Sequence, residues 1–240
     1  MNKSLKGKKP LLGVIGGMGT QATACFYEKL HNLQNVTTEQ EYLDVLLYSM
    51  PTIPDRTAFI TGQSTDSPLE PLIHSVKTLE TAGATCIAIT CVTSHYFYGD
   101  ITKAVNIPVL SMLEETAGFI SKQGIKKVCL LATDGTLKGK AFHTAFEKFG
   151  IEPTTPPEKT QSDLMTMIYE IKRGTAVLPE QLERITEEAL KSGAEAVVLG
   201  CTELCIIAKE NPGIINTLEV LAGASIKTLV TRNPSMECQL

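Results

Sequence analysis

The chain has 240 residues, 43% of them hydrophobic and 20% charged, with a net charge of −4. That length is enough for one large or two small buried cores, and the acidic balance, with a pI near 5.7, excludes a general nucleic-acid binder, which needs a basic stripe. No run approaches the roughly 20 apolar residues of a membrane span, and the first apolar stretch, Leu11 to Ile15, breaks at Gly16-Gly17, too early for a signal peptide.

These features predict a cytoplasmic protein with neither a nucleic-acid nor a membrane partner. The one basic cluster, Lys3, Lys6, Lys8 and Lys9, ends at Pro10 and reads as a solvated tail. The seven cysteines, at 25, 86, 91, 129, 201, 205 and 238, are too irregular for a disulfide framework. With no Cys-x-x-Cys pair and only four scattered histidines, no metal site is expected. Cys25, Cys86 and Cys129 sit in apolar periodic segments and read as small core residues.

In chain order, Leu11 to Ile15 reads as a strand, Gly16 to Thr20 as a glycine turn, and Ala22, Phe26, Leu30 and Leu33 as one face of a helix. Leu43 to Tyr48 is a second strand, followed by a long polar arm from Met50 to Pro68, a length typical of lids and binding loops. A helix from Pro68 to Thr81 leads to the strand Cys86 to Thr90 and the turn at Cys91. A short helix, Tyr96 to Val105, precedes a fourth strand, Ile107 to Leu110, and a helix over Leu113 to Lys122 begins the second half.

The pattern then starts again. Val128 to Leu131 is a strand, Ala132 to Thr136 its turn, and Phe142, Phe146 and Phe149 mark a helix. A Pro- and Thr-rich linker, Glu152 to Ser162, occupies the place of the first half's long arm. Helices near Asp163–Lys172 and Pro179–Lys191 lead to the strand Ala196 to Leu199 and to Cys201, and Ile214-Ile215 and a helix from Leu218 to Val230 follow.

One stretch occurs twice. Gly83-Ala84 begins eight residues ahead of Cys91, and Gly193-Ala194 eight residues ahead of Cys201; both intervening runs are apolar, and a threonine, Thr93 or Thr202, follows each cysteine. Strands alternating with helices imply parallel sheets with helices on their faces. The fold class is therefore α/β, with two similar parallel-sheet domains related by a pseudo-two-fold: 1–112 plus 213–240, and 113–212. Ligands in such sheets lie beyond the carboxyl ends of the strands, which puts both cysteines and both glycine turns at the cleft between the domains. Gly19 and Thr20 in the first turn and Thr133 in the second are candidates there.

A two-fold pair of cysteines places one sulfur on each face of a reacting carbon. If one is thiolate and the other thiol, the first removes a proton and the second returns one to the opposite face, inverting the carbon without a cofactor in the proton transfer. Each cysteine lies between a strand and a predicted helix, so the helix dipole is expected to favour its thiolate.

On these residues the chain resembles the aspartate/glutamate racemase superfamily, nearest to the PLP-independent aspartate racemases. Ile15-Gly16-Gly17-Met18-Gly19 resembles the family's first glycine turn, Cys91 to His95 its motif Cys-Asn-Thr-Ala-His, and Gly200-Cys201-Thr202-Glu203 its second cysteine motif. Ile53 to Thr57 and Tyr169 to Gly174 resemble the segments supplying two cationic contacts. The resemblance implies Cys91 and Cys201 as acid/base groups, Arg56 and Lys172 as carboxylate ligands, and Met18, Val92, Thr93, Ser94 and Thr202 lining the cleft around a small amino-acid or dicarboxylate substrate. It also implies a homodimer and no cofactor.

Two residues depart from the family pattern. Val92 stands where the family has asparagine and cannot hydrogen-bond through its side chain; Ser94 replaces alanine and adds a hydroxyl. Other carbanion reactions on a small dicarboxylate (isomerisation or decarboxylation), and an inactive carboxylate-binding role, stay open beside aspartate or glutamate racemisation. His95 reads as an acid or base near Cys91 or as a capping residue, Glu203 as a partner of the substrate ammonium or of a helix N-terminus, and Cys205 as structural. Gly17-x-Gly19-x-x-Ala22 fits the dinucleotide fingerprint, but Leu47 to Met50 offers no acidic partner. The turn is read instead as backbone amides available to a carboxylate.

Overall fold

The computed structural model describes residues 10–231; the lysine cluster and Cys238 lie outside the described residues. The first half runs β1 (Leu11–Gly16), α1 (Thr20–Asn32), β2 (Asp44–Ser49), α2 (Arg56–Thr61), α3 (Leu69–Thr81), β3 (Cys86–Ile89), α4 (Tyr98–Lys103) and α5 (Met112–Lys122). The second runs β4 (Lys127–Ala132), α6 (Asp134–Lys138), α7 (His143–Phe149), β5 (Glu152–Thr154), α8 (Glu158–Lys172), α9 (Pro179–Lys191), β6 (Ala196–Gly200), α10 (Leu204–Ile207), β7 (Ile214–Asn216) and α11 (Thr217–Val230).

All strand pairs are parallel, in the orders β2-β1-β3 and β5-β4-β6-β7. Strands β1, β3, β4 and β6 are almost wholly buried, because helices cover both faces of each sheet. The edge strands β2 and β5 are more exposed.

The predicted fourth strand, Ile107 to Leu110, makes only a bridge, Ile87 with Val109. Pro108 accepts from the Ile87 amide but has no N–H with which to extend the ladder. In the second half β7 is a true strand on β6. Ile214–Asn216 therefore belongs to the second sheet, whereas the sequence reading grouped 213–240 with the first half. Two segments read as irregular hold structure: the long arm carries α2, and the Pro- and Thr-rich linker carries β5 and the first turn of α8.

The duplicated Gly-Ala pairs have a backbone cause. Gly83 and Gly193 both sit at φ 100°, a left-handed conformation that favours glycine, and each ends the helix before a cysteine strand. In both copies the alanine amide reaches back to the helix, Ala84 to the Leu79 carbonyl at 3.0 Å and Ala194 to that of Ala189 at 3.3 Å.

The last helix of each half is exchanged. α5, capped by Ser111, packs on α7 of the second half, and α11, capped by Asn216, returns to pack on α1 of the first; the two exchanged helices also touch each other. α11 buries Leu218, Leu221 and Leu229 completely or nearly so, each contributing about 1.5–3 kcal/mol. Among the described residues no helix is long and apolar enough to cross a membrane.

Candidate active site

Cys91 follows β3 and Cys201 follows β6, each at the carboxyl end of a buried strand, and both are 4% exposed. The turns after them match position by position. Four residues on, His95 Nδ1 lies 3.0 Å from the Cys91 carbonyl and Cys205 Sγ lies 3.9 Å from the Cys201 carbonyl. His95 Nε2 accepts from the amide of Met112, the first residue of α5, while Cys205 Sγ lies 3.6 Å from Thr217 Oγ1, the first residue of α11. Each therefore ties its cysteine to the helix exchanged between the halves.

His95 is thus committed to backbone on both ring nitrogens, with Nδ1 carrying the proton that goes to the Cys91 carbonyl. Burial pushes its pKa below the ordinary histidine value and keeps it neutral. Of its two sequence readings, acid/base or structural, the geometry supports the structural one. Cys205, read as structural, is held in the same manner, and burial raises its pKa to about 11.

Aligning the turns in this register pairs Val92 with Thr202 and Thr93 with Glu203, so the two threonines are not equivalents. Thr93 Oγ1 crosses to Thr133 and Thr136 of the second half at 3.1 and 3.0 Å. Glu203 Oε1 crosses to the Gly19 amide of the first half at 3.0 Å. Thr202 Oγ1 reaches the Thr90 carbonyl at 3.3 Å. Val92 is 2% exposed and its side chain joins the larger apolar cluster.

In the glycine turn, Gly17 N–H donates to Thr23 Oγ1 and Gly19 N–H to Glu203. Both amides are used within the protein, Gly19 by the protein's own carboxylate, so neither is open to a substrate carboxylate, contrary to what the sequence reading expects. Thr20 opens α1 and is exposed. Met18 is buried, its sulfur accepting from Ser94 Oγ at 3.3 Å, and Thr133 caps α6.

Arg56, 6% exposed, opens α2. Its Nη1 donates to the Ile53 and Pro54 carbonyls at 3.1 and 2.9 Å, and its Nη2 to the Met18 carbonyl at 3.4 Å. Nε is buried without a partner. Three fixed carbonyls orient the guanidinium, while an unused donor remains on the edge shared by Nε and Nη2, suited to a carboxylate.

Lys172, at the end of α8, lies within electrostatic reach of Glu203, both cysteines and Arg56. Burial is the largest influence and opposes its charge, but Glu203, Cys201 and Cys91 outweigh burial and the nearby Arg56, and its pKa lies above the ordinary lysine value. At Cys201 burial is again the largest influence and raises the pKa. Glu203, whose Oε2 accepts from Sγ at 2.9 Å, adds to the rise; Lys172 opposes it, and the pKa ends well above the usual thiol value. The expected thiolate-favouring dipole does not prevail there: α10 is four residues long, too short to offset burial and an adjacent carboxylate.

Two further contacts close the cleft. Asp55 caps α2 with Oδ1 on the Ala58 amide and accepts from Tyr169 Oη with Oδ2 at 3.0 Å, joining the halves. Beside it α2 packs on α6, where Lys138 Nζ donates to the Thr61 carbonyl at 3.0 Å. Sequence reasoning missed Asp55 and Tyr169 as a pair, although Asp55 before a helix is a local capping signal and Tyr169 lies one turn before Lys172. Among the described residues no group of three or more His, Cys, Asp or Glu side chains is placed to hold a metal ion.

Residues 15–226 match the family described as Asp/Glu/Hydantoin racemase. The broad specificity amino-acid racemase RacX of Bacillus subtilis (strain 168) is 26% identical over 229 residues, covering 91% of this chain and 97% of the relative. Among solved structures, Picrophilus torridus aspartate racemase is 29% identical with a TM-score of 0.83, over 92% of this chain and 94% of that one. An aspartate racemase homologue from Pyrococcus horikoshii OT3 is 27% identical with a TM-score of 0.74, over 92% and 99%.

Proposed function

As the chain belongs to the Asp/Glu/Hydantoin racemase family, we propose that it is a cytoplasmic amino-acid racemase that inverts aspartate or glutamate, with Cys91 and Cys201 acting from opposite faces of the α-carbon. The observation that carries this reading is that the two cysteine turns cross to each other's half, Thr93 to Thr133 and Thr136 and Glu203 to Gly19, with Lys172 in electrostatic reach of both cysteines and of Arg56. An α-proton is very weakly acidic, so the carbanion needs positive charge held in a water-poor site. Lys172 and the free edge of Arg56 supply that charge and bind the substrate carboxylates; Thr93 and Thr202 fix the cysteine turns across the two halves, and Ser94 ties the Cys91 turn to Met18.

The cleft is closed. Cys91, Cys201, Arg56, Thr93, Thr202 and Glu203 are each no more than 6% exposed. Substrate enters when the α2–α6 contact parts, and reclosure excludes water from the carbanion. Val92 contributes no polar contact to the substrate, and the RacX relative is named for broad specificity, so amino acids beyond the acidic pair belong in the assay. A homodimer, implied by the resemblance, is read from the sedimentation of the purified chain.

The test is incubation with L-aspartate or L-glutamate in deuterated water, following loss of the α-proton by NMR and appearance of the D-enantiomer. Exchange with racemisation is expected. If neither acid nor any other amino acid exchanges its α-proton, this reading is wrong.

A further inference from the structure

We propose that Glu203 is a positioning residue that holds the proton on Cys201 in the resting protein, so that Cys201 enters the reaction as the acid and Cys91 as the base. The inference rests on the two-base reading above. Its own ground is an asymmetry between two otherwise equivalent turns. The residue two beyond each cysteine reaches across to the other half's glycine turn, but in one copy it is Thr93 and in the other Glu203. Glu203 is 2% exposed and carries three contacts at once: Oε1 accepts from Gly19 N–H, which fixes the side chain, and Oε2 accepts from Cys201 S–H at 2.9 Å and, more weakly, from Thr202 Oγ1 at 3.5 Å.

A carboxylate that accepts from a thiol stabilises the thiol, and one facing a thiolate repels it. The other charged or titratable groups near this sulfur are Lys172 from α8, around which Arg56 of α2 and Cys91 also lie. Lys172 favours a thiolate, yet burial and Glu203 together outweigh it.

The proton balance follows. Cys91, as thiolate, takes the α-proton; the new S–H bond forms as the C–H bond breaks, and its electron pair stays on carbon. Cys201 gives its proton to the opposite face, and the S–H bonding pair remains on its sulfur. The new thiolate then faces the Glu203 carboxylate, and that like-charge contact favours recovery of a proton from solvent while Cys91 releases its own. The resting protein therefore selects the enantiomer whose α-hydrogen faces Cys91.

The experiment follows ultraviolet thiolate absorbance against pH, as the difference between the protein and its Cys201→Ser variant, so that it needs no turnover. The same difference is taken in a Glu203→Gln background, which removes the charge and keeps an acceptor for Gly19, and in Glu203→Asp, which draws the carboxylate back from the sulfur. Glu203→Gln is expected to lower the Cys201 midpoint by about one unit or more, and Glu203→Asp by less. The rise of kcat/KM with pH is expected to shift in the direction that starts from Cys201 as base. An unmoved midpoint in whichever variant folds overturns the proposal. A lowered midpoint in a protein that exchanges no α-proton sustains the hold of Glu203 on Cys201 and sinks the racemase reading instead.

Discussion

The Cys91 and Cys201 turns share a backbone plan and differ in chemistry. Both follow a buried strand, both are tied four residues on to an exchanged helix, and both reach across the cleft at the second residue. At the first residue one turn has Val92 in the apolar cluster and the other Thr202 on a carbonyl; at the second, one has a neutral hydroxyl and the other a carboxylate. Duplication thus supplies the shared backbone plan, and the side chains at these two positions give the two sulfurs different surroundings. A two-base inversion requires asymmetric protonation, since two thiols offer no base and two thiolates no proton to return.

The strongest way to break the comparison is to remove either sulfur. Cys91→Ser and Cys201→Ser should each reduce racemisation by about a hundredfold to ten-thousandfold, measured by the rate of D-enantiomer formation; full turnover in either would show that the turns do not act as a pair. Arg56→Lys keeps the charge and loses the fork, and should lower kcat/KM about tenfold to a hundredfold, with KM carrying part of the change.

The glycine turns allow a matched test of packing. A Cβ at Gly135 would lie 2.7 Å from the Thr57 backbone, whereas at Gly19 it would meet the end of the Glu203 side chain at 2.9 Å. Gly135→Ala should cost about 1–3 kcal/mol in thermal or denaturant unfolding and hinder closure of α2 on α6. Gly19→Ala should cost less in stability, because the atom met is a side-chain end and not backbone.

Asp55 gives a pH test. Burial is the largest influence and raises its pKa, but the Ala58 amide, Lys172, Arg56 and Tyr169 together leave it below the ordinary value. Its contribution to stability is therefore present above the unfolded pKa of about 3.9 and is lost as pH falls through the lower folded value. Asp55→Asn should remove that part of the acid destabilisation, seen as a flatter melting temperature against pH in the acid range. The smallest effect is expected from Lys138→Met, whose exposed bond to the Thr61 carbonyl should change stability by no more than about 1 kcal/mol.

The elements that sequence made legible were those with local causes. Apolar runs marked the central strands, and the Gly-Ala pairs marked the helix ends that needed a left-handed residue at Gly83 and Gly193. The cysteines were visible because they repeat at fixed distances from those pairs. β5 was hidden because Glu152–Thr154 is exposed throughout and has no apolar alternation. The contact of Glu203 with Gly19 spans 184 positions and that of Asp55 with Tyr169 spans 114. Such contacts depend on how the halves close, which periodicity does not encode. His95 stays open between acid/base chemistry and a capping or packing role for the same reason, since the partner of its Nε2 lies on a helix that sequence alone does not dock.

Because α5 covers the second half and α11 the first, the chain is the covalent counterpart of a swapped dimer of half-length peptides. In such a dimer every substitution appears twice, and both sulfurs would meet the same neighbours. Fusion into one chain releases the copies from that identity, so that a mutation beside one sulfur leaves the other untouched. The swap holds the halves together, and their covalent linkage lets Glu203 be unique.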